Sequence, residues 1–433
     1  MPSSFRKPIE CVHLDANIIV ILISLTLFLA YTSGILFTLT RVPDIIWMIG
    51  FGILFGPVLG MFKAETISNL IPFVVVMALN LLMFEAGLSV DLKTFRESLE
   101  KSGYLGVITF TLTIFVVGNL LHWILPATFT ITEGFLFGAI IGGTSTSTVL
   151  SILGCMGMSS NDAAECRLFL VLESIVTDSL SIVTTMTLIR LIQIPDIPLT
   201  EGFKDIVYVF IVAIIVGFGV GVFWVQILDV ARNRPFNYIM TIAMLSVSYI
   251  FGEQIGGPGA GALSGLVFGL TMTNYPLFAS RFSLKQNVRV EKRRLRAFYE
   301  EITFLIKSLL FLFVGLQFSI SAGHIALGIG LAIVIGVVRY ASVNVTKVFV
   351  PLSQVEVKVS MLEFSNGLTA LVLSQLPGLV EDSHLFTDTG VFVNLVVPIV
   401  MTTALFGAIA GPILYKDKPK PKPGLVPESP DEV

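Results

Sequence analysis

Charge is scarce in this chain: only 13% of its 433 residues are Asp, Glu, Lys or Arg, about half the share of an ordinary soluble domain. The net charge of −3 leaves no basic surface for nucleic acid. Cysteine is scarcer still. Cys11, Cys155 and Cys166 form no CxxC and no zinc spacing, which excludes a disulfide framework and a structural zinc site. His13, His122, His324 and His384 are scattered without an HExxH, and there is no glycine-rich phosphate loop. No cofactor is expected. Pro2–Asp15 is polar, so no cleavable leader is expected either. A soluble enzyme, a secreted module and a disordered chain are excluded together.

What fills the chain is hydrocarbon. Apolar residues make up 54% of it, Phe alone occurs 34 times, and the mean hydropathy is +0.88. At about 20 residues per crossing, the runs predict an all-α polytopic membrane protein with about thirteen spans, from Ile18–Leu39 to Phe392–Leu414. The third is Ile67–Leu88, the fifth Gly134–Met156, the sixth Leu168–Leu191 and the tenth Ile302–Phe318; the eleventh is Ile325–Val345 and the twelfth Val359–Leu376. The eighth and ninth, Tyr238–Phe251 and Gly259–Thr273, are short enough to be one disturbed pair.

Lys and Arg set the orientation. Arg41, Lys93, Arg96, Lys101, Arg232, Arg234, the segment Arg281–Arg296, Lys347, Lys358 and Lys416–Lys422 share one side when there are thirteen spans. That places the N-terminus outside and the C-terminus in the cytoplasm, in a multi-pass plasma-membrane protein whose residues 416–433 form a flexible tail. Arg281–Arg296 either meets anionic headgroups or is a solvated loop. Leu81-Leu82-Met83-Phe84-Glu85-Ala86-Gly87-Leu88 is echoed by Leu309-Leu310-Phe311-Leu312-Phe313-Val314-Gly315-Leu316 seven spans later. An odd offset reverses the direction through the bilayer, as inverted repeats of transporters do.

Ionisable residues at membrane depth cost roughly 2.5–3.5 kcal/mol each on insertion scales and mark function or pairing. They are Glu85, Glu173, Asp178, Lys307, Arg339 and Glu363. Ser174, Asp178 and Ser181 share a helix face, whereas Glu173 and Asp178 lie about 140° apart around the helix axis. Glu173 is therefore expected to pair with Arg339, the one mid-span arginine. Asp178 is left for a functional site, unless it reaches the interface or is neutralised by Lys307, for which snorkelling is the default. Gly142-Gly143-Thr144-Ser145-Thr146-Ser147-Thr148 makes a poor helix. It is either unwound, with carbonyls and hydroxyls lining a cavity, or a helix whose hydroxyls bond back to it. Glu363-Phe364-Ser365-Asn366-Gly367-Leu368-Thr369 is its counterpart in the other half; two interrupted helices point to a midplane site. Glu85 is either an outer acceptor of that site or a helix-end residue.

These residues carry a resemblance. Glu173-Ser174-Ile175-Val176-Thr177-Asp178 resembles the Glu-Ser-x-x-Asn-Asp signature of monovalent cation/proton antiporters, closest to archaeal sodium/proton antiporters related to animal sodium/hydrogen exchangers. Phe84–Leu88 resembles the third-helix motif of that superfamily, Gly143–Thr146 falls at its first broken helix, Arg339 at its buried basic residue and Gly367–Leu371 at its second broken helix. The resemblance implies a homodimer with a core domain (roughly 67–191 and 302–414) moving against a dimer domain (roughly 18–62 and 206–273). It implies an ion- and proton-binding set of Asp178, Ser174, Thr144, Ser145, Thr177 and Glu85, with Asp178 and Ser174 contacting the cation. Glu173–Arg339 is then structural, and Asn366 and Gly367 mark the second break.

The sequence departs from the superfamily pattern at three places. Thr177 replaces the usual Asn, Ser145 stands where many relatives have Asp, and Asn366 where relatives often have Arg. Na⁺ is favoured, with K⁺ or Li⁺ open. With Asp178 alone switching, one proton exchanges for one cation and no net charge moves. A sodium-coupled organic-anion symporter of similar fold is a second reading, needing cationic contacts at the site. An intramembrane enzyme would lack its second mid-span Asp or its Ser–His pair, and a channel suits a buried ion pair poorly.

Overall fold

The computed structural model describes residues 16–40, 42–62, 67–92, 96–145, 160–194, 198–230, 237–282, 292–380 and 385–414. Among these residues there are fourteen α-helices. They are α1 (Ala16–Thr40), α2 (Asp44–Ile53, continued by a π-turn around Pro57), α3 (Ile71–Ser89), α4 (Arg96–Ile124), α5 (Ile131–Ile140) and α6 (Ser160–Gln193). The second half contains α7 (Leu199–Val230), α8 (Asn237–Gly256), α9 (Ala260–Arg281), α10 (Lys292–Gln317), α11 (Ala322–Phe349), α12 (Gln354–Leu362), α13 (Leu368–Leu373) and α14 (Gly390–Leu414). The hydroxyl run beyond Ser145 and the tail beyond Leu414 lie outside the described residues.

Eight helices, α1, α3, α4, α6, α7, α8, α11 and α14, are long and apolar enough to cross a bilayer on their own. The stretches Asp44–Val58, Ile131–Ile140 and Leu368–Leu379 are apolar but shorter. The thirteen expected runs thus resolve into eight full spans plus shorter or more polar helices. The expected eighth and ninth runs are two separate helices, α8 and α9, turning at Gly257 and Gly259, whose φ angles of +83° and +91° favour glycine. Helix α10 starts well before the expected Ile302, because Leu295 and Tyr299 are buried on one face and Arg296 pairs with Glu300 at 2.9 Å. The basic segment is therefore partly a helical turn rather than wholly a loop.

The sequence echo has a packing cause. Helix α2 packs on α10, and α3 packs on α9. Exchanging the two halves of the chain turns the first contact into the second. The pairs α3–α10 and α4–α11 map onto themselves, and α4–α6 maps onto α11–α14. Gly315 and Gly87, at the same place in the two echoed segments, sit at the two equivalent crossings. A Cβ on Gly315 would lie 2.8 Å from Gly52 Cα and meet the Ile49 carbonyl; one on Gly87 would meet the Leu266 carbonyl. Only glycine permits so close an approach of two helices.

The same packing sorts the helices into two groups. Helices α4, α5, α6 and α11–α14 surround the two breaks, while α1–α3 and α7–α10 pack on one another. Helices α3 and α10 belong to the second group, held there by the glycine crossings. Gly315→Ala is expected to destabilise the protein by about 1–3 kcal/mol through overpacking. Gly330→Ala, where a Cβ meets nothing within 4 Å, is expected to stabilise it by about 0.5–1 kcal/mol. Thermal unfolding of the detergent-solubilised variants reads both signs.

Candidate cation and proton site

Both interrupted helices open in the same way. Thr130 and Glu133 close a capping box at the start of α5, and Ser353 and Glu356 close another at the start of α12. Each helix then runs nine or ten residues before it breaks. Helix α5 ends at Ile140, where Gly142-Gly143 and the hydroxyl residues give the chain little reason to stay helical, and Gly143–Ser145 are non-helical. Helix α12 ends at Leu362, and Glu363–Gly367 run non-helically into α13.

The two breaks touch and bond each other. The Ser145 amide donates to the Ser365 carbonyl at 2.9 Å. Asn366 donates its side-chain amide to the Ile141 and Gly143 carbonyls at 2.6 and 2.9 Å, satisfying acceptors that the end of α5 leaves open. Its backbone N–H donates to Thr403 Oγ1 of α14 at 3.2 Å. Gly367 lies directly against Ser145: a Cβ there would sit 2.5 Å from Ser145 Oγ.

Helix α6 fastens the first break. Ser174 Oγ donates to the Thr144 carbonyl at 2.7 Å, and the Thr144 amide donates to Thr177 Oγ1 at 3.2 Å. Thr144 Oγ1 donates to Glu173 Oε2 at 3.1 Å. The hydroxyls of Thr144 and Ser174 thus reach across to neighbouring elements rather than back into their own helix. Glu173 and Arg339, 0% and 1% exposed, are paired at 2.7 Å. The guanidinium also donates to the Ser360 carbonyl at 2.7 Å, at the end of α12, and to Thr109 Oγ1 at 3.3 Å. Those partners satisfy a buried charge pair that would otherwise be costly. A void of about 10 Å³, room for one water, adjoins Arg339, Thr109, Thr144 and Asn366.

Asp178 faces elsewhere, as the 140° offset requires. Its carboxylate sits against Gly143, where a Cβ would lie 2.7 Å from Oδ1. Ser174 and Thr369 lie beside it, and Oδ1 has no hydrogen-bond partner. No cation of the protein pairs with it among the described residues. A buried carboxylate, ionised and set against the non-helical Gly143, is matched in charge by one proton or one monovalent cation. Among the described residues no three His, Cys, Asp or Glu side chains gather as a multivalent metal site.

The family model described as "Sodium/hydrogen exchanger, transmembrane" matches residues 24–416. The chain belongs to the sodium/hydrogen exchanger family. It is similar to the K⁺/H⁺ antiporter NhaP2 of Shewanella baltica, 27% identical over 218 residues, covering 49% of this chain and 35% of that protein. It is also similar to the probable Na⁺/H⁺ antiporter 2 of Methanocaldococcus jannaschii, 21% identical over 290 residues, covering 64% of each. The matched stretch is thus under two thirds of either relative's length. The structure of the sodium proton antiporter MjNhaP1 from Methanocaldococcus jannaschii at pH 8 superposes with a TM-score of 0.77 at 17% identity, covering 92% of this chain and 97% of that one. At that identity the likeness establishes the fold.

Within this exchanger fold the residues expected at the site divide. Asp178, Ser174, Thr144, Ser145 and Thr177 come together with Asn366 and Gly367. Glu85 does not join them: its carboxylate pairs with Lys307 at 3.0 Å, the side chains 29% and 33% exposed. Lys307 therefore neither snorkels freely nor neutralises Asp178. Its partner is 222 residues away in sequence, a separation no local pattern reveals. Sequence reasoning also missed Thr369 and Thr403 and the carbonyl-bridging role of Asn366. The one available signal was an amide side chain immediately before the glycine of a break.

Proposed function

We propose that this chain exchanges a monovalent cation for a proton across the membrane by alternating access, with Asp178 holding either one. The supporting observation is the state of Asp178: buried, pressed against the unwound Gly143 and, among the described residues, unpaired by any basic side chain. Burial makes a bare carboxylate expensive, and a proton or a cation removes that expense, so the two compete for one place. Ser174, Thr144, Ser145 and Thr177 supply the surrounding oxygens, and Glu173–Arg339 is structural. One switching carboxylate gives one proton per cation and no net charge moved.

Na⁺ is favoured as cargo, with K⁺ the alternative; the relatives include one protein named for each. The group containing the breaks slides against the other group, through which two copies form a homodimer with N-termini outside and C-termini in the cytoplasm. The organic-anion reading loses ground, because Arg339 is committed to Glu173, Ser360 and Thr109, and Lys307 is paired with Glu85.

Proton flux in proteoliposomes tests this. With an acid interior, external Na⁺, K⁺ or Li⁺ should alkalinise the lumen, independently of a clamped membrane potential. Asp178→Asn should reduce that flux to the level of protein-free vesicles. The apparent KM for the cation should rise as pH falls, approaching about tenfold per unit where the proton dominates. Absence of cation-dependent flux in folded wild-type protein would sink the exchange reading.

A further inference from the structure

A third carboxylate lies at the breaks, outside the set assigned to the cargo. Glu363 ends α12, is 0% exposed, and accepts one hydrogen bond, from Ser365 Oγ at 2.7 Å. Its second oxygen, Oε2, is buried without any partner. An ionised carboxylate has about four acceptor sites to fill, and here only Ser365 approaches them, through its hydroxyl and its backbone N–H, with Oε2 left bare. The surroundings add little positive charge. From α11 comes Arg339, whose guanidinium is committed to Glu173, Ser360 and Thr109. From α6 comes Glu173, an anion. Helix α14 contributes the hydroxyl of Thr403 and no titratable group between Gly390 and Ile409. On α4, Lys101 is bound to Glu356. Glu363 also sits at the carbonyl end of its own helix, the end that disfavours negative charge.

The charge count around the crossing then constrains the chemistry. Glu173, Asp178 and Glu363 face one arginine. With Glu173 balanced by Arg339 and Asp178 by its proton or cation, an ionised Glu363 would leave one unbalanced negative charge in both loaded states. A protonated Glu363 leaves none, and its bond to Ser365 is satisfied with the proton on either oxygen. We propose that Glu363 keeps its proton throughout the transport cycle, as a neutral positioning residue whose carboxyl lets Arg339 stay on Glu173 and holds the exchange at one proton per cation. Loss of that proton at alkaline pH places a second anion beside Arg339, loosens the Glu173 pair and slows transport. The sign follows: the neutral carboxyl is present at lower pH, and its contribution disappears as pH rises.

This inference rests on the exchange reading, and the tests keep the two apart. In proteoliposomes, Glu363→Gln, the isostere of the protonated side chain, should retain cation-coupled flux within twofold of wild type. It should remain insensitive to membrane potential and keep its activity further into the alkaline range. Glu363→Ala, which removes the bond to Ser365, should fall at least tenfold. Infrared difference spectra give a readout free of transport. In the Asp178→Asn protein a protonated-carboxyl band should persist on adding saturating NaCl, shift in the further variant Glu363→Asp and vanish with Glu363→Gln. A Glu363→Gln protein that elutes as wild type yet loses flux more than tenfold would overturn the proposal. So would a wild-type flux that senses potential until Glu363 is replaced, or the absence of a band shifted by Glu363→Asp. Silent wild-type vesicles would instead remove the exchange reading and leave the spectra to decide the protonation of Glu363.

Discussion

Arg339→Ala is expected to cost about 3–5 kcal/mol of stability, because it strands the Glu173 carboxylate in a fully buried setting. It also frees the Ser360 carbonyl at the end of α12 and the hydroxyl of Thr109. Thermal unfolding in detergent should show the loss at once, together with poor yield. The pair itself is a different matter from either partner alone. Replacing both residues by apolar side chains of similar size, Glu173→Leu with Arg339→Met, should recover much of the stability, since a satisfied buried ion pair and a well-packed apolar pair are often close in energy. Transport by the double variant then separates two roles. Flux restored with stability means that the pair only holds α6, α11 and α12 in place. Stability restored without flux means that its charges also act on the cargo.

Asn366→Asp carries the second large effect. The substitution changes almost nothing in shape, but it replaces a donor amide with an acceptor that faces the Ile141 and Gly143 carbonyls at 2.6 and 2.9 Å. Two buried carbonyls lose their partner, at about 1–3 kcal/mol each, and an uncompensated charge is added. Cation-dependent flux should drop at least a hundredfold, because Gly143 no longer holds its place beside Asp178. Asn366→Ser should be milder: it loses the reach to both carbonyls without adding charge. Comparable losses from the two variants would mean that reach, and not charge, dominates at this position.

Much of this site was legible in the sequence, and the reasons are local. Hydrophobic run length reports depth in the bilayer, so Glu173, Asp178 and Arg339 stood out as charges where charge is expensive. The five-residue offset between Glu173 and Asp178 told their facings apart on geometry alone. Two glycine-containing polar stretches, one in each half, located both breaks. What the sequence did not carry was lateral order. Apolar composition says that a helix is buried without saying beside which neighbour, so the glycine crossings of α3 with α9 and of α10 with α2 were not legible in it. The same gap hid the Glu85–Lys307 pair and left Glu85 open as a site residue. The early start of α10 was obscured for a different reason: its first turns are rich in cations, and their helical face shows only through buried Leu295 and Tyr299.

The bond from the Ser145 amide to the Ser365 carbonyl belongs to the main chain. Every residue except proline at the donor position can make it, so it is indifferent to amino-acid identity. Asp in place of Ser145, or another residue in place of Ser365, leaves the tie between the broken helices intact. The crossing can therefore persist while its side chains drift, and selection is free to retune the oxygens around Asp178 without having to re-establish the scaffold each time.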